Sequence, residues 1–313
     1  ETVDRALDWI GGLEPERPFF LWVHLYDAHH PYDPPPEVAE AFGSGRLDSR
    51  QGTIRDYDRD VLYVDRQVRR LFEALKGEGL LAQADWIVAA DHGEGFWEHG
   101  LVGHSPHLYQ EQLHVPFLMG GPGIASGRVA GPRVGLIDVL PTLLGRLGIG
   151  PPAGGLEGRD LGPLLEGRVV AEDWNRPLFA VRRLYNQPSF ARLLKQGCDE
   201  GWDLSATRLE EHGFGPMAAL VQGPWKLIWT QGSGIHLPEV YHLERDPAEQ
   251  HDLQDPNATV QTALRERLAR WVKASAGKAL IAEPAGEAAF RRLAELGYIH
   301  LPDEPAPPPS GKH

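Results

Sequence analysis

The hydrophobic pattern of this chain switches repeatedly between helical and strand periods. Val3, Ala6, Leu7 and Ile10 recur at helical spacing and predict an amphipathic helix closed by Gly11-Gly12. After Pro18, the run Phe19–Leu25 has the length and composition of a strand. It leads into Tyr26–Pro36, where four prolines forbid a continued helix or central strand and predict a stiff loop. Val61, Val64, Val68, Leu71, Phe72 and Leu75 form one stripe, predicting a helix over 57–76 whose arginines and acids make a solvated face. The apolar run Trp86–Ala90 follows at once, which reads as a helix–strand unit of a parallel sheet. A further short strand is expected over 114–119, with Pro116 at an edge or a strand start, and a helix over 138–147 with Pro141 in its first turn.

From Gly150 to Asp173, Pro and Gly dominate without a sustained period, so this is a connecting segment. Four short β-like runs, Leu178–Val181, Ala218–Val221, Trp225–Trp229 and Val240–Leu243, then predict a small antiparallel sheet, and 259–272 returns to helix. Residues 184–214 are polar and mixed, an insertion or lid-like excursion, and 302–313 are proline-rich and expected to be disordered. The expected class is α/β. A mainly parallel sheet flanked by helices fills 1–173, a small α+β subdomain fills 174–275, and a helical, proline-rich tail fills 276–313.

Composition narrows the function classes. A chain of 313 residues can build a large core, and no apolar run approaches the length of a transmembrane helix. The formal net charge of -13 argues against a general nucleic-acid binder or a binder of anionic membranes, but not against a small anionic substrate met by a local field. The single cysteine, Cys198, excludes an internal disulfide framework. The chain begins at Glu1 inside a helical pattern, which reads as the interior of a longer domain.

Eight of the 14 histidines lie between His24 and His114, which locates the expected chemistry. The densest stretch is Asp91-His92-Gly93-Glu94 through Glu98-His99-Gly100 to Gly103-His104, at the end of an apolar strand. Asp offers a hard oxygen ligand, and His a nitrogen that ligates, donates or titrates. A strand end followed by glycine is where α/β folds gather ligands. The loop carrying Asp27, His29 and His30 is the second candidate segment.

These segments together resemble the sulfatase family of the alkaline-phosphatase-like superfamily. Phe19–Pro35 is similar to the family's strand and D-x-H-x-P-Y-x-x-P loop. Asp91–His104 is similar to its D-H-G-E … H-G … K/H block. Leu108-Tyr109-Gln110-Glu111 through Val115-Pro116-Phe117, and Asp138-Val139-Leu140-Pro141-Thr142, match two further blocks. Trp225-Lys226-Leu227-Ile228, Val240-Tyr241-His242-Leu243 and Asp246-Pro247-Ala248-Glu249 resemble the family's C-terminal hairpin, and Leu296-Gly297-Tyr298-Ile299 the ending of many bacterial members.

The resemblance implies metal-dependent hydrolysis of sulfate esters. It implies His29 as the general acid on the leaving oxygen, and Asp91 and His92 as ligands of one divalent metal. Calcium is usual in the family, while the softer His92 leaves manganese or zinc open. His104 stands where many members hold the sulfate with a lysine, and His99 either touches the ligand or orients its loop. His24 and Asp27 are expected to be structural. The family's nucleophile, a formylglycine made from Cys or Ser in C/S-x-P-x-R, has no counterpart in this sequence: Cys198 lacks both the Pro and the Arg. The expectation is therefore a part of a longer enzyme whose nucleophile lies upstream. Two alternatives stay open. One is a phosphatase, phosphodiesterase or phosphonate monoester hydrolase of the same superfamily, with Asp27, His29 or His30, His104 and His107 able to hold a second metal. The other is a non-catalytic member that binds an anion.

Overall fold

A computed structural model describes residues 1–14, 17–43, 45, 47–100, 102–104, 107–167, 174–182, 217–230, 238–253 and 258–276. The excursion over 184–214, Cys198 and the chain end from 277 lie outside the described residues. Contacts divide the chain into two units, Glu1–Arg265 and Glu266–His313. The expected three-part division has its first boundary, at 173, outside the described residues.

Helix α1 (Thr2–Gly11) buries Val3, Ala6 and Ile10, the stripe its sequence predicts. The next apolar run, Phe19–Leu25, joins no ladder among the described residues. Its exposure still alternates residue by residue, and Phe20 and Trp22 on the outward side are 76% and 77% exposed. Helix α2 (Ser49–Gly77) starts eight residues before the predicted Tyr57. The reason is a capping box: Asp48 accepts the Gln51 backbone N–H at 2.8 Å, and the Gln51 side chain returns to the Asp48 N–H. Apolar periodicity is blind to such a polar first turn. The expected solvated face of α2 also needs correction, because Arg59 and Asp60 are buried. The Arg59 guanidinium donates to the Ala41 and Gly43 carbonyls at 2.9 Å each and pairs with Asp56, so it tethers the preceding loop.

Strand β1 (Trp86–Ala89) follows, then two short strands, β2 (Gly95–Phe96) and β3 (Val102–Gly103), which pair antiparallel within the His-rich loop. A one-turn helix α3 (Gln110–Leu113) precedes β4 (Phe117–Gly120). β1 pairs with β4, and the pairing is antiparallel, Trp86 opposite Gly120 and Ala89 opposite Phe117. The sequence pattern led to the expectation of a parallel neighbour. Among the described residues between these two strands there are only the β2–β3 ribbon and one helical turn. The chain turns back on itself instead of crossing over a full helix, which a parallel partner would require.

Helix α4 (Val139–Arg146) is preceded by a 3-10 turn, Leu136–Asp138. Its fully buried Asp138 accepts the Gly135 N–H at 2.9 Å and the Arg159 N–H at 2.8 Å, and it pairs with the Arg176 guanidinium. Thr142 donates to the Asp138 carbonyl and accepts the Leu161 N–H, which fastens the turn leading into α5 (Gly162–Leu165).

The expected C-terminal sheet is present. β5 (Leu178–Arg182), β6 (Met217–Gln222), β7 (Trp225–Thr230) and β8 (Glu239–His242) pair antiparallel in chain order. The central strands are buried on both faces. Met217, Ala219 and Ile228 pack with Leu108, Tyr241 and Leu243, joined by Tyr109 and Leu113 around α3, while Leu220, Leu227 and Val240 fill the opposite face. That packing holds α3 against the sheet, and α3 in turn positions the His-rich loop. In helix α6 (Thr259–Ala276), the predicted core positions Leu264 and Leu268 are buried.

Candidate active site

The loop after β1 is built around Gly93. Its N–H donates to the Gln112 carbonyl at 2.9 Å, and a Cβ at this position would overlap the Glu111 carbonyl oxygen. Only glycine lets the loop lie this close to α3. Gln112 is buried and its side chain donates to the Gly103 carbonyl at 3.0 Å, so one residue holds both ends of the loop.

On this frame, the Asp91 side chain is exposed and its Oδ1 accepts the His92 N–H at 3.1 Å. His92 Nδ1 lies 2.8 Å from the Gly93 carbonyl oxygen. A carbonyl only accepts, so Nδ1 carries the proton and the Nε2 lone pair is left for a ligand. That Nε2 is 3.9 Å from Asp91 Oδ2. A nitrogen lone pair and a carboxylate oxygen at this separation suit adjacent positions on a divalent cation. They supply two ligands. No cluster of three or more metal-binding side chains occurs among the described residues, so the pair fits part of a coordination sphere.

His104 stacks on His92 with ring centres 4.3 Å apart and is 5.0 Å from the ring of His29. The three imidazoles from two distant segments therefore share one wall. Glu94 holds them in register. Its carboxylate is buried, accepts the Tyr32 hydroxyl at 2.8 Å, and faces His104 Nδ1 at 3.2 Å. Burial opposes charge on Glu94, but the His104 and Tyr32 hydrogen bonds outweigh it and hold the carboxyl below its usual range. Burial, and then Glu94, push the Tyr32 hydroxyl upward, so it stays a donor. With Nδ1 engaged by Glu94, Nε2 is the nitrogen of His104 left for a ligand.

His29 sits in the proline loop, where the His30–Pro31 peptide is cis. Its ring stacks on Tyr26 at 4.3 Å, and its Nδ1 donates to the His30 carbonyl at 2.6 Å. Nε2 is again the free nitrogen. Burial pulls the imidazole below the ordinary histidine range. His104 and His92 add to this, against the His30 carbonyl and Glu94. A cavity of about 360 Å³ opens beside the loop, lined by His30, Tyr32, Ser49 and Thr53 among others. Ser49 and Thr53 belong to the first turns of α2, ahead of the predicted helix start at Tyr57.

His99 lies apart from this wall. Both its ring nitrogens are engaged within the protein, Nδ1 with Glu111 at 2.7 Å and Nε2 with the Glu249 carbonyl at 3.0 Å. His24 stacks only loosely on Tyr26, at 6.3 Å, and His107 is buried beside Glu111. No role for Glu94 was readable from the sequence. The signal available was the Glu of the Asp-His-Gly-Glu run, an acid that becomes meaningful only with His104 beside it.

Residues 1–149 match the sulfatase family model. Arylsulfatase K of Rattus norvegicus is 24% identical over 316 residues, covering 86% of this chain and 51% of the relative. The chain thus spans about half the length of the curated relatives it matches. Among solved structures, the phosphonate monoester hydrolase of Agrobacterium radiobacter superposes with a TM-score of 0.63 at 20% identity, over 88% of this chain and 60% of that one. A 2-O GAG sulfatase superposes with a TM-score of 0.56 at 18% identity, over 87% and 57%. Residues 1–149 thus resemble the sulfatase family, and the chain shares the fold of these structural neighbours.

Proposed function

We propose that this chain carries the acid- and anion-binding half of a sulfate ester hydrolase site. The observation that carries the reading is the shared wall of His29, His92 and His104, with Asp91 beside it and Glu94 behind it. Asp91 and His92 would hold one divalent metal ion, calcium in the first instance, which when bound supplies positive charge for the non-bridging oxygens of the ester. His104, oriented through Nδ1 by Glu94, would donate from Nε2 to the same oxygens when both of its ring nitrogens carry protons. His29 Nε2, once protonated, delivers its proton to the departing alcohol oxygen. The low proton affinity of free His29 fits this task, since an arriving anion raises it and a weakly held proton is readily given up. The nucleophile, a formylglycine on this reading, would come from sequence that precedes these residues in a longer chain. The half-length coverage of the relatives supports this.

A second reading, hydrolysis of phosphonate or phosphate esters, is favoured by the superposition on a phosphonate monoester hydrolase and by a histidine, not a lysine, at 104. The two separate in one experiment on the full-length protein, which compares turnover of aryl sulfate, aryl phosphate and an aryl phosphonate monoester with metal content measured in parallel. Aryl sulfate turnover with about one metal per chain, lost on Asp91→Asn, is the expected result. Turnover of phosphorus esters alone, or undiminished metal in Asp91→Asn, would overturn the corresponding part of the proposal.

A further inference from the structure

One charged cluster under the His-rich loop has no role in the mechanism above, and it is built around His99. The ring is 11% exposed, lies flat on Tyr109 with centres 3.6 Å apart, and meets His107 edge-on at 6.0 Å. Its Nδ1 is 2.7 Å from Glu111 Oε1 and its Nε2 is 3.0 Å from the Glu249 carbonyl oxygen. Glu111 is held below the ordinary carboxyl range: burial opposes its charge, but the His99 hydrogen bond and His107 outweigh it. An ionised carboxylate and a carbonyl are both acceptors without a proton to give. A neutral imidazole has one N–H and could serve only one of them, leaving lone pair against lone pair at the other. Only the imidazolium serves both.

The surrounding charges agree. From α3 and its approach come Glu111 and His107, whose Nε2 is 3.6 Å from the same Glu111 oxygen. From the turn after β8 comes Glu249, whose fully buried carboxylate pairs with Lys226 of β7 at 2.7 Å and accepts the Gln110 N–H at 2.6 Å. Glu239 of β8 faces the cluster through the Tyr109 hydroxyl at 2.6 Å. Burial disfavours charge on His99, yet the Glu111 carboxylate and the Glu249 carbonyl outweigh it and raise its proton affinity above the ordinary histidine value.

The placement of this bond matters. Gln112 holds the loop at its two ends, Gly93 and Gly103, while His99 holds its apex to the turn after β8. Glu94 lies between the first anchor and the apex, and His104 directly follows the anchor at Gly103.

We propose that His99 is a positioning residue: an imidazolium that fastens the apex of the loop bearing Glu94 and His104 to α3 and the C-terminal sheet. Its link to turnover rests on the sulfate ester reading; the fastening does not. Loss of the proton sets an acceptor against an acceptor, frees the apex and leaves the sheet intact. The site then has an alkaline limit set by a group that never touches substrate.

The test uses the whole 313-residue chain. Ring nitrogen shifts and amide hydrogen exchange are followed by NMR from about pH 6 to about pH 9. Both His99 nitrogens are expected to be protonated at neutral pH, and exchange at 94–104 to quicken as the ring loses its proton. A ring that is neutral at pH 7, or loop exchange indifferent to its titration, overturns the proposal. His99→Gln keeps a single donor. It should quicken exchange at 94–104 at every pH and flatten the pH dependence, with β6 and β7 unchanged; opening of those strands as well would make His99 a structural residue only. In the full-length protein, His99→Gln should raise KM for aryl sulfate on the order of tenfold and remove the alkaline limb of the rate profile. If the ring and exchange results hold but aryl sulfate is not turned over, the fastening stands and the sulfate ester reading falls.

Discussion

Glu94 shows how much a single carboxylate can decide. It faces Tyr32 from the proline loop and His104 from its own loop, and so brings two segments more than 60 residues apart into one register. On the proposed function, His29 then acts on the leaving group. In the full-length enzyme, His29→Ala should lower kcat by roughly 10²–10⁴-fold with KM little changed, because a leaving-group acid works only as the bond breaks. Steady-state kinetics check this, and an equal loss in binding would reduce His29 to a contact. Asp60 makes a different point. It is 1% exposed, one carboxylate oxygen has no hydrogen-bond partner, and Asp27, Asp33 and Asp56 lie nearby. Burial first, then Asp27, push its carboxyl up to about 6, against a backbone hydrogen bond from Asp33. A raised pKa means that the folded state holds the proton more tightly than the unfolded one. Ionisation therefore costs stability increasingly from about pH 4 to about pH 6, and the full cost persists above that. Asp60→Asn should stabilise the protein at pH 7 by on the order of 1–3 kcal/mol and by little at pH 4. Thermal unfolding at the two pH values decides it, and equal effects at both would refute it.

At the scale of elements, the C-terminal sheet supports the site as well as closing the core. β7 sends Lys226, fully buried, to Glu249 on the turn after β8. Burial pulls the Lys226 ammonium down and pushes the Glu249 carboxyl up, each held against that by the other's charge. Lys226→Met should therefore cost about 3–5 kcal/mol, since it strands a buried carboxylate. Adding Glu249→Leu should recover part of that loss by removing the stranded charge. Chemical denaturation of the single and double variants tests the pair; a single variant as stable as the double would show the charges to be uncoupled. These elements also show what was legible in the chain. The stripes of α1 and α6 and the four runs of the antiparallel sheet were readable because each carries its own hydrophobic period. The first turn of α2 was not, because Asp48 and Gln51 start it with polar bonds. The antiparallel partner of β1 was not, because strand direction depends on the path of the connection and not on composition. Asp91, His92, His29 and His104 could be named from motif spacing, whereas the engagement of both His99 nitrogens depends on Glu249, 150 residues away.

Over the whole molecule, Asp138 joins what the sequence separates. One buried carboxylate gathers Gly135, Arg159 and Arg176, while Thr142 next to it secures Leu161. Arg146, at the end of the same helix, pairs with Asp85 just before β1 and donates to the Pro122 carbonyl. Between these anchors, the exposed Gly/Pro-rich stretch over 148–155 carries few of the hydrogen bonds. The polypeptide there is dispensable as a covalent link. A protease that cuts within this stretch should yield two pieces that co-elute as one particle under native conditions and separate only in denaturant, and the same cut in Asp138→Ala should let them separate at a lower denaturant concentration. In that sense folded contacts, this carboxylate among them, stand in for a peptide bond.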